Sequence, residues 1–141
     1  MLGRRRSASW RWALPASISA ALLATGAGTS PQAQPTVQRT VLQRADLAGT
    51  AGQEGVIVQV ELPPGSATGR HTHPGSELGY LLEGSIELEL EGMPARTIAP
   101  GESWIIEPGR VHDAKDAGQG TARAVVVYVV EKGKPLALPA P

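Results

Sequence analysis

The sequence predicts an all-β domain, a sandwich or a small barrel. Apolar residues repeat with a period of two rather than 3.6, and Pro/Gly turn signals separate the alternating runs at short intervals. Beyond the N-terminal segment, no stretch sustains a helical period. At 141 residues the chain suits one ordinary domain and is short for two.

The first element, residues 1–33, reads as an address. Arg4, Arg5 and Arg6 precede an Ala-rich, moderately apolar stretch from Trp12 to Ala24, then small residues and the polar run Pro31 to Pro35. This is the layout of a secretory signal, with cleavage expected after Gly26, Ala27 or Ala33. The apolar stretch is too short and too weakly apolar for a stable membrane anchor, so the domain is expected to be exported, periplasmic or secreted. Either the general secretory or the twin-arginine route is compatible with the adjacent arginines.

Residues 34–141 form the expected domain, with its core between about residues 40 and 131. Val37 to Gln43 is the first strand candidate. Val56, Val58, Val60 and Leu62 then alternate with Ile57, Gln59 and Glu61, the pattern of a half-buried strand. Leu78 to Leu82 follows, and after it Ile86, Leu88 and Leu90 alternate strictly with Glu87, Glu89 and Glu91. Arg96 to Ala99, Ser103 to Glu107 and Ala122 to Glu131 complete the set. Turns are expected at Pro63-Pro64-Gly65, Pro74-Gly75, Glu91-Gly92, Pro100-Gly101, Pro108-Gly109 and Gly118-Gln119-Gly120. The run Val125 to Val130 is apolar on both faces, so its outer face needs a cover, and a homodimer is expected to supply it. Pro135 to Pro141 reads as a short extended end.

Composition narrows the chemistry. Without cysteine there are no disulfides, thiolate zinc sites, iron–sulfur ligands or thiol nucleophile, and any metal must be held by nitrogen and oxygen. The formal net charge of zero conceals a division. Four of the 13 basic residues, Arg4, Arg5, Arg6 and Arg11, lie in the first eleven positions, and the rest of the chain is acidic. It has no basic stripe interleaved with aromatics, so nucleic acid is not an expected partner.

The three histidines concentrate the remaining chemistry. On a strand, His71 and His73 at i, i+2 point to one face. Glu77 follows across the Pro74-Gly75 turn, and His112 lies just beyond Pro108-Gly109, where an adjacent strand could deliver a third imidazole. Three neutral imidazoles and one carboxylate suit one divalent transition ion, Mn, Fe, Co, Ni, Cu or Zn, with positions left for water, oxygen or substrate. A pocket beside it is expected from Gly79 and Leu81, which share the parity of Glu77, and from Trp104 as an apolar wall. Gly79 would leave room beside the metal. Arg70 and Arg110 flank ligands and are candidates to clamp a substrate carboxylate. Asp113 or Asp116 could orient a ligand imidazole.

The stretch GSATGRHTHPGSELGYLLEG, Gly65 to Gly84, resembles the first sequence motif of the cupins throughout: Gly65, His71, His73, Glu77 and Gly84 stand at the family spacing. GESWIIEPGRVHDAKD is similar to the second motif, with Gly101, Gly109 and His112 in register, Pro108 one position late and Asp116 where Asn is usual. The resemblance covers about residues 40–131. It implies a small, jelly-roll-like, single-domain β-barrel with His71, His73, Glu77 and His112 as ligands to the ion. It also implies a small-molecule substrate or ligand. Two functions are compatible: a metal-dependent enzyme, dioxygenase-like or else an isomerase or lyase, and a non-catalytic metal- or ligand-binding protein. No catalytic residue beyond the ligands is identifiable in the sequence.

Overall fold

A computed structural model describes residues 35–141. Residues 1–33, expected from the sequence to be an address, lie outside the described residues. Among the latter there are ten strands and no helix: β1 (Gln38–Asp46), β2 (Gln53–Leu62), β3 (His71–Thr72), β4 (Ser76–Glu83), β5 (Ile86–Leu90), β6 (Arg96–Ile98), β7 (Ser103–Ile106), β8 (His112–Asp116), β9 (Ala122–Glu131) and β10 (Leu138–Pro139). They form two antiparallel five-stranded sheets, ordered β1-β2-β9-β4-β7 and β10-β3-β8-β5-β6.

The alternation read from the sequence decides which side chains face the other sheet. In β2, Val56, Val58, Val60 and Leu62 are buried, and in β9 Ala122, Ala124, Val126, Tyr128 and Val130 are. Ile86, Leu88, Ile98 and Ile106 meet them from the remaining strands and close one core. Removing such side chains from water supplies most of the drive to fold.

Three elements depart from expectation. β1 runs on to Asp46, with an irregularity between Val41 and Gln43; it lies at the sheet edge, paired with β2 alone, and every residue in it is exposed. β8 escaped the periodicity reading because its inward positions begin with His112, not an aliphatic residue. The tail is more than an extended end: Leu138 and Pro139 pair with Thr72 and His71, so β10 covers the edge of β3.

The outer face of β9 is only partly covered. Val127 stands between Ile57 of β2 and Leu78 of β4, and Leu78 is opposite Ile105 of β7, which is 68 % exposed. An apolar row thus crosses four strands on the outside of the first sheet.

Two glycines of the motif stretch have demonstrable roles. Gly84 has φ +80°, and a Cβ there would lie 2.5 Å from the Ala122 backbone, so no side chain fits. Gly65, at φ +74°, donates its N–H to Asp116 Oδ2 at 3.2 Å. Asp116 therefore ties a turn, which is its use at the position where Asn is usual.

Candidate metal centre

Both sheets contribute to one buried cluster. His71 of β3 is the direct cross-strand partner of His112 of β8, so these two imidazoles come from the second sheet. Glu77 comes from β4 in the first sheet, and His73 sits in the link between β3 and β4. One potential ligand atom from each of the four lies within 4.8 Å of the others, and all four residues are buried. The ring centroids of His71 and His112 are 4.2 Å apart, and that of His73 is 4.8 and 4.9 Å from these.

Hydrogen bonds orient each ring. His71 Nδ1 is 2.7 Å from Gly69 O, His73 Nδ1 is 2.5 Å from Leu136 O, and His112 Nδ1 is 3.0 Å from Arg110 O. A carbonyl only accepts, so each Nδ1 carries the proton and each neutral ring keeps its lone pair on Nε2. His73 Nε2 is buried without a hydrogen-bond partner although Glu77 Oε2 is 2.6 Å away, since with the proton on Nδ1 it has none to donate to the carboxylate. An unpartnered buried lone pair facing a carboxylate and two further imidazoles is the donor set a divalent transition ion takes. Asp113 accepts from Thr68 Oγ1 at 2.9 Å and Asp116 from Gly65 N, so neither orients an imidazole; backbone carbonyls do.

The charges respond to the same geometry. Burial pushes the Glu77 carboxyl up, but His112, His73 and the Trp104 N–H outweigh it and hold Glu77 well below the usual carboxylate range. Burial, opposed by the Gly69 carbonyl, lowers His71. For His112 burial acts downward, and Glu77 more than reverses it, raising the imidazole above its ordinary 6.5. Protons compete with an ion for Nε2, so affinity is expected to fall with falling pH through the raised His112 value, starting above 6.5. Calorimetric titration with Mn(II) from about pH 8 to about pH 6 measures this, and a constant affinity across that range contradicts it.

The expected pocket is redistributed. Leu81 is fully buried in the core and is not among the residues lining the cleft beside Trp104. Arg70 is exposed, donating to Glu91 Oε1 at 2.8 Å and to Pro141 O at 2.7 Å. Gly79 faces inward, but the room it leaves is filled by the Trp104 indole and not left open beside the cluster. Trp104 is not simply an apolar wall: its Nε1–H donates to Glu77 Oε1 at 2.7 Å. Trp104 and Arg110 line a cleft of about 380 Å³ with Leu88, Leu90, Met93 and Glu107, and none of the four clustered side chains lines it.

Sequence reasoning missed two participants. Tyr128 is the cross-strand partner of Glu77, and its ring is 4.7 Å from that of His73; its shared parity with Val126 and Val130 was the available signal. Burial, with the Glu77 charge, raises its phenol well above the ordinary value, so the hydroxyl stays protonated. Leu136 acts through its carbonyl, for which no sequence signal exists.

Comparison with known proteins agrees with this geometry. A family model described as the cupin domain matches residues 58–128, half of the chain and all four clustered residues. The chain belongs to the cupins. Germin-like protein subfamily 3 member 1 of Arabidopsis thaliana is 30 % identical over 89 residues, covering 60 % of this cupin but only 43 % of that protein. The chain thus spans less than half the length of that relative. A Klebsiella pneumoniae protein with a double-stranded β-helix domain superposes with a TM-score of 0.60 at 21 % identity, over 78 % of this chain and 90 % of that one. An oxalate oxidase solved in complex with glycolate superposes at 0.58 and 23 % identity, over 73 % and 54 %. These likenesses establish the jelly-roll cupin fold.

Proposed function

We propose that this cupin is an exported metal-binding protein that acts on a small organic acid, with oxygenase-like chemistry. The observation that carries the reading is the convergence of three Nε2 lone pairs and one carboxylate oxygen, with every Nδ1 already committed to a carbonyl. His71, His73, Glu77 and His112 would hold the ion, which when bound supplies a Lewis-acid or redox centre for substrate or oxygen. The chain's own binding groups lie across the Trp104 ring from the cluster. Arg110 has no ion pair among the described residues and lines the cleft there, where its guanidinium suits a carboxylate. The apolar side chains of Leu88, Leu90 and Met93 receive the organic body, and the Tyr128 phenol retains a proton beside Glu77. A second reading, binding without turnover, is favoured by the burial of all four ligand residues, each no more than 8 % exposed.

One experiment separates the two. Protein purified from the native cell is analysed for metal content and N-terminal sequence, then assayed for oxygen uptake with a panel of small organic acids that includes oxalate and glycolate. Enzyme activity is expected as metal-dependent uptake. Arg110→Gln should raise KM roughly tenfold to a hundredfold, since a hydrogen bond to a charged group is worth about 1.5–3 kcal/mol. Bound metal with no uptake for any acid leaves the binding reading. An N-terminus within residues 27–34 supports export with cleavage, and an intact Met1 on the exported protein contradicts it.

The apolar row Ile57, Val127, Leu78 and Ile105 supports pairing of two copies through the outside of the first sheet. Light scattering is expected to return twice the chain mass at micromolar concentration, with Ile105→Lys shifting it toward the monomer. A monomer mass for the unaltered chain argues against pairing.

A further inference from the structure

We propose that Trp104 is a positioning residue that divides the Glu77 carboxylate, holding Oε1 so that Oε2 alone is presented to a bound ion, and that Gly79 exists to let the indole reach it. The inference rests on the metal-binding reading above. Trp104 of β7 and Gly79 of β4 are direct cross-strand partners, and Glu77 lies two residues before Gly79 on the same inward face. A Cβ at position 79 would sit 2.0 Å from Trp104 Cε2 and Cζ2 and 2.6 Å from Nε1, distances no packed side chain tolerates. The ring therefore lies across the glycine and delivers its N–H to Glu77 Oε1 at 2.7 Å in a buried setting. The other oxygen, Oε2, is the one that meets the imidazoles, 2.6 Å from His73 Nε2 and 3.7 Å from His112 Nε2.

Indole N–H is a donor without acceptor capacity, so this bond has one possible direction, from Trp104 to Glu77 Oε1. A carboxylate pinned at Oε1 contributes one coordination position instead of two, and the position not taken stays open for an incoming molecule. The same ring lines the cleft beside Arg110, so it is also the partition between that cleft and the cluster. A molecule seated in the cleft touches the group that sets the Glu77 geometry.

The test uses the full chain. Trp10→Phe and Trp12→Phe leave Trp104 as the sole tryptophan of three, so one indole N–H resonance is observed after nitrogen-15 labelling. In metal-free protein this proton is expected to exchange slowly and to move on Glu77→Gln. Wild type, Trp104→Phe and Gly79→Ala are then titrated with Co(II). Both variants should still bind one ion per chain, with affinity lower by about tenfold to a hundredfold and with altered position and intensity of the visible Co(II) bands. The Trp104→Phe result decides the matter alone if Gly79→Ala does not fold. Wild-type affinity and bands in Trp104→Phe overturn the proposal, as does an indole proton that exchanges freely and ignores Glu77→Gln. Failure of the unsubstituted chain to bind Co(II), Mn(II) or Fe(II) overturns the metal reading and this role together, and is distinguished by the wild-type titration.

Discussion

Replacing His71 and His112 together by Ala is expected to abolish stoichiometric ion binding, a loss of at least a hundredfold in affinity. The two residues are cross-strand partners in the second sheet, and their ring centroids are 4.2 Å apart. Their removal leaves His73 and Glu77, two donors on one side of the cluster. Removing groups that merely orient a ligand typically costs ten- to a hundredfold, so loss of two ligands costs more. The barrel should survive, because the aliphatic core of Val56, Val58, Leu81, Ile86 and Ile106 is untouched. Circular dichroism checks the strand content, and elemental analysis after dialysis against Mn(II) checks the ion. One ion per chain in the double variant would exclude this cluster as the site.

Deleting residues 135–141 is expected to lower ion affinity by about tenfold to a hundredfold, although the segment contains no ligand. Leu136 O accepts a hydrogen bond from His73 Nδ1–H and so keeps the Nε2 lone pair directed at Glu77 and the other imidazoles. Pro139 and Leu138 flank His71 and Thr72, and Ala140 N donates to Arg70 O at 3.0 Å. Without them β3 becomes a sheet edge two residues long, held in its ladder by the single pair His71–His112. Calorimetry on the chain ending at Lys134 measures the loss. A control ending at Pro139 keeps both Leu136 and β10 and should stay near wild type. Equal affinities for all three chains would show that the tail does not orient His73.

The strands were legible wherever a half-buried ladder alternates aliphatic with polar residues, as in β2, β5 and β9. They were illegible where function replaced aliphatic residues, as at His112 in β8, or where no face is buried, as along β1. Gly79 shows the same limit at one position. Its parity is evident from Glu77, but a glycine announces only that something approaches closely, and the approaching group, Trp104, lies 25 positions along the chain in a neighbouring strand.

By itself the sequence determined the period of β2, β5 and β9, the Pro/Gly turns between them and the grouping of His71, His73 and Glu77, because each is carried by side-chain chemistry at short spacing; His112, 35 positions beyond Glu77, was legible through the motif resemblance. The tertiary structure alone decided that Gly69, Leu136 and Arg110 carbonyls orient the imidazoles, that Trp104 and not a solvent-filled gap lies over Gly79, and that Arg70 belongs to the surface. Those outcomes depend on backbone groups common to every residue and on neighbours brought together by sheet register. The Leu136 carbonyl reaches His73 across 63 positions of sequence, a distance over which local spacing carries no information.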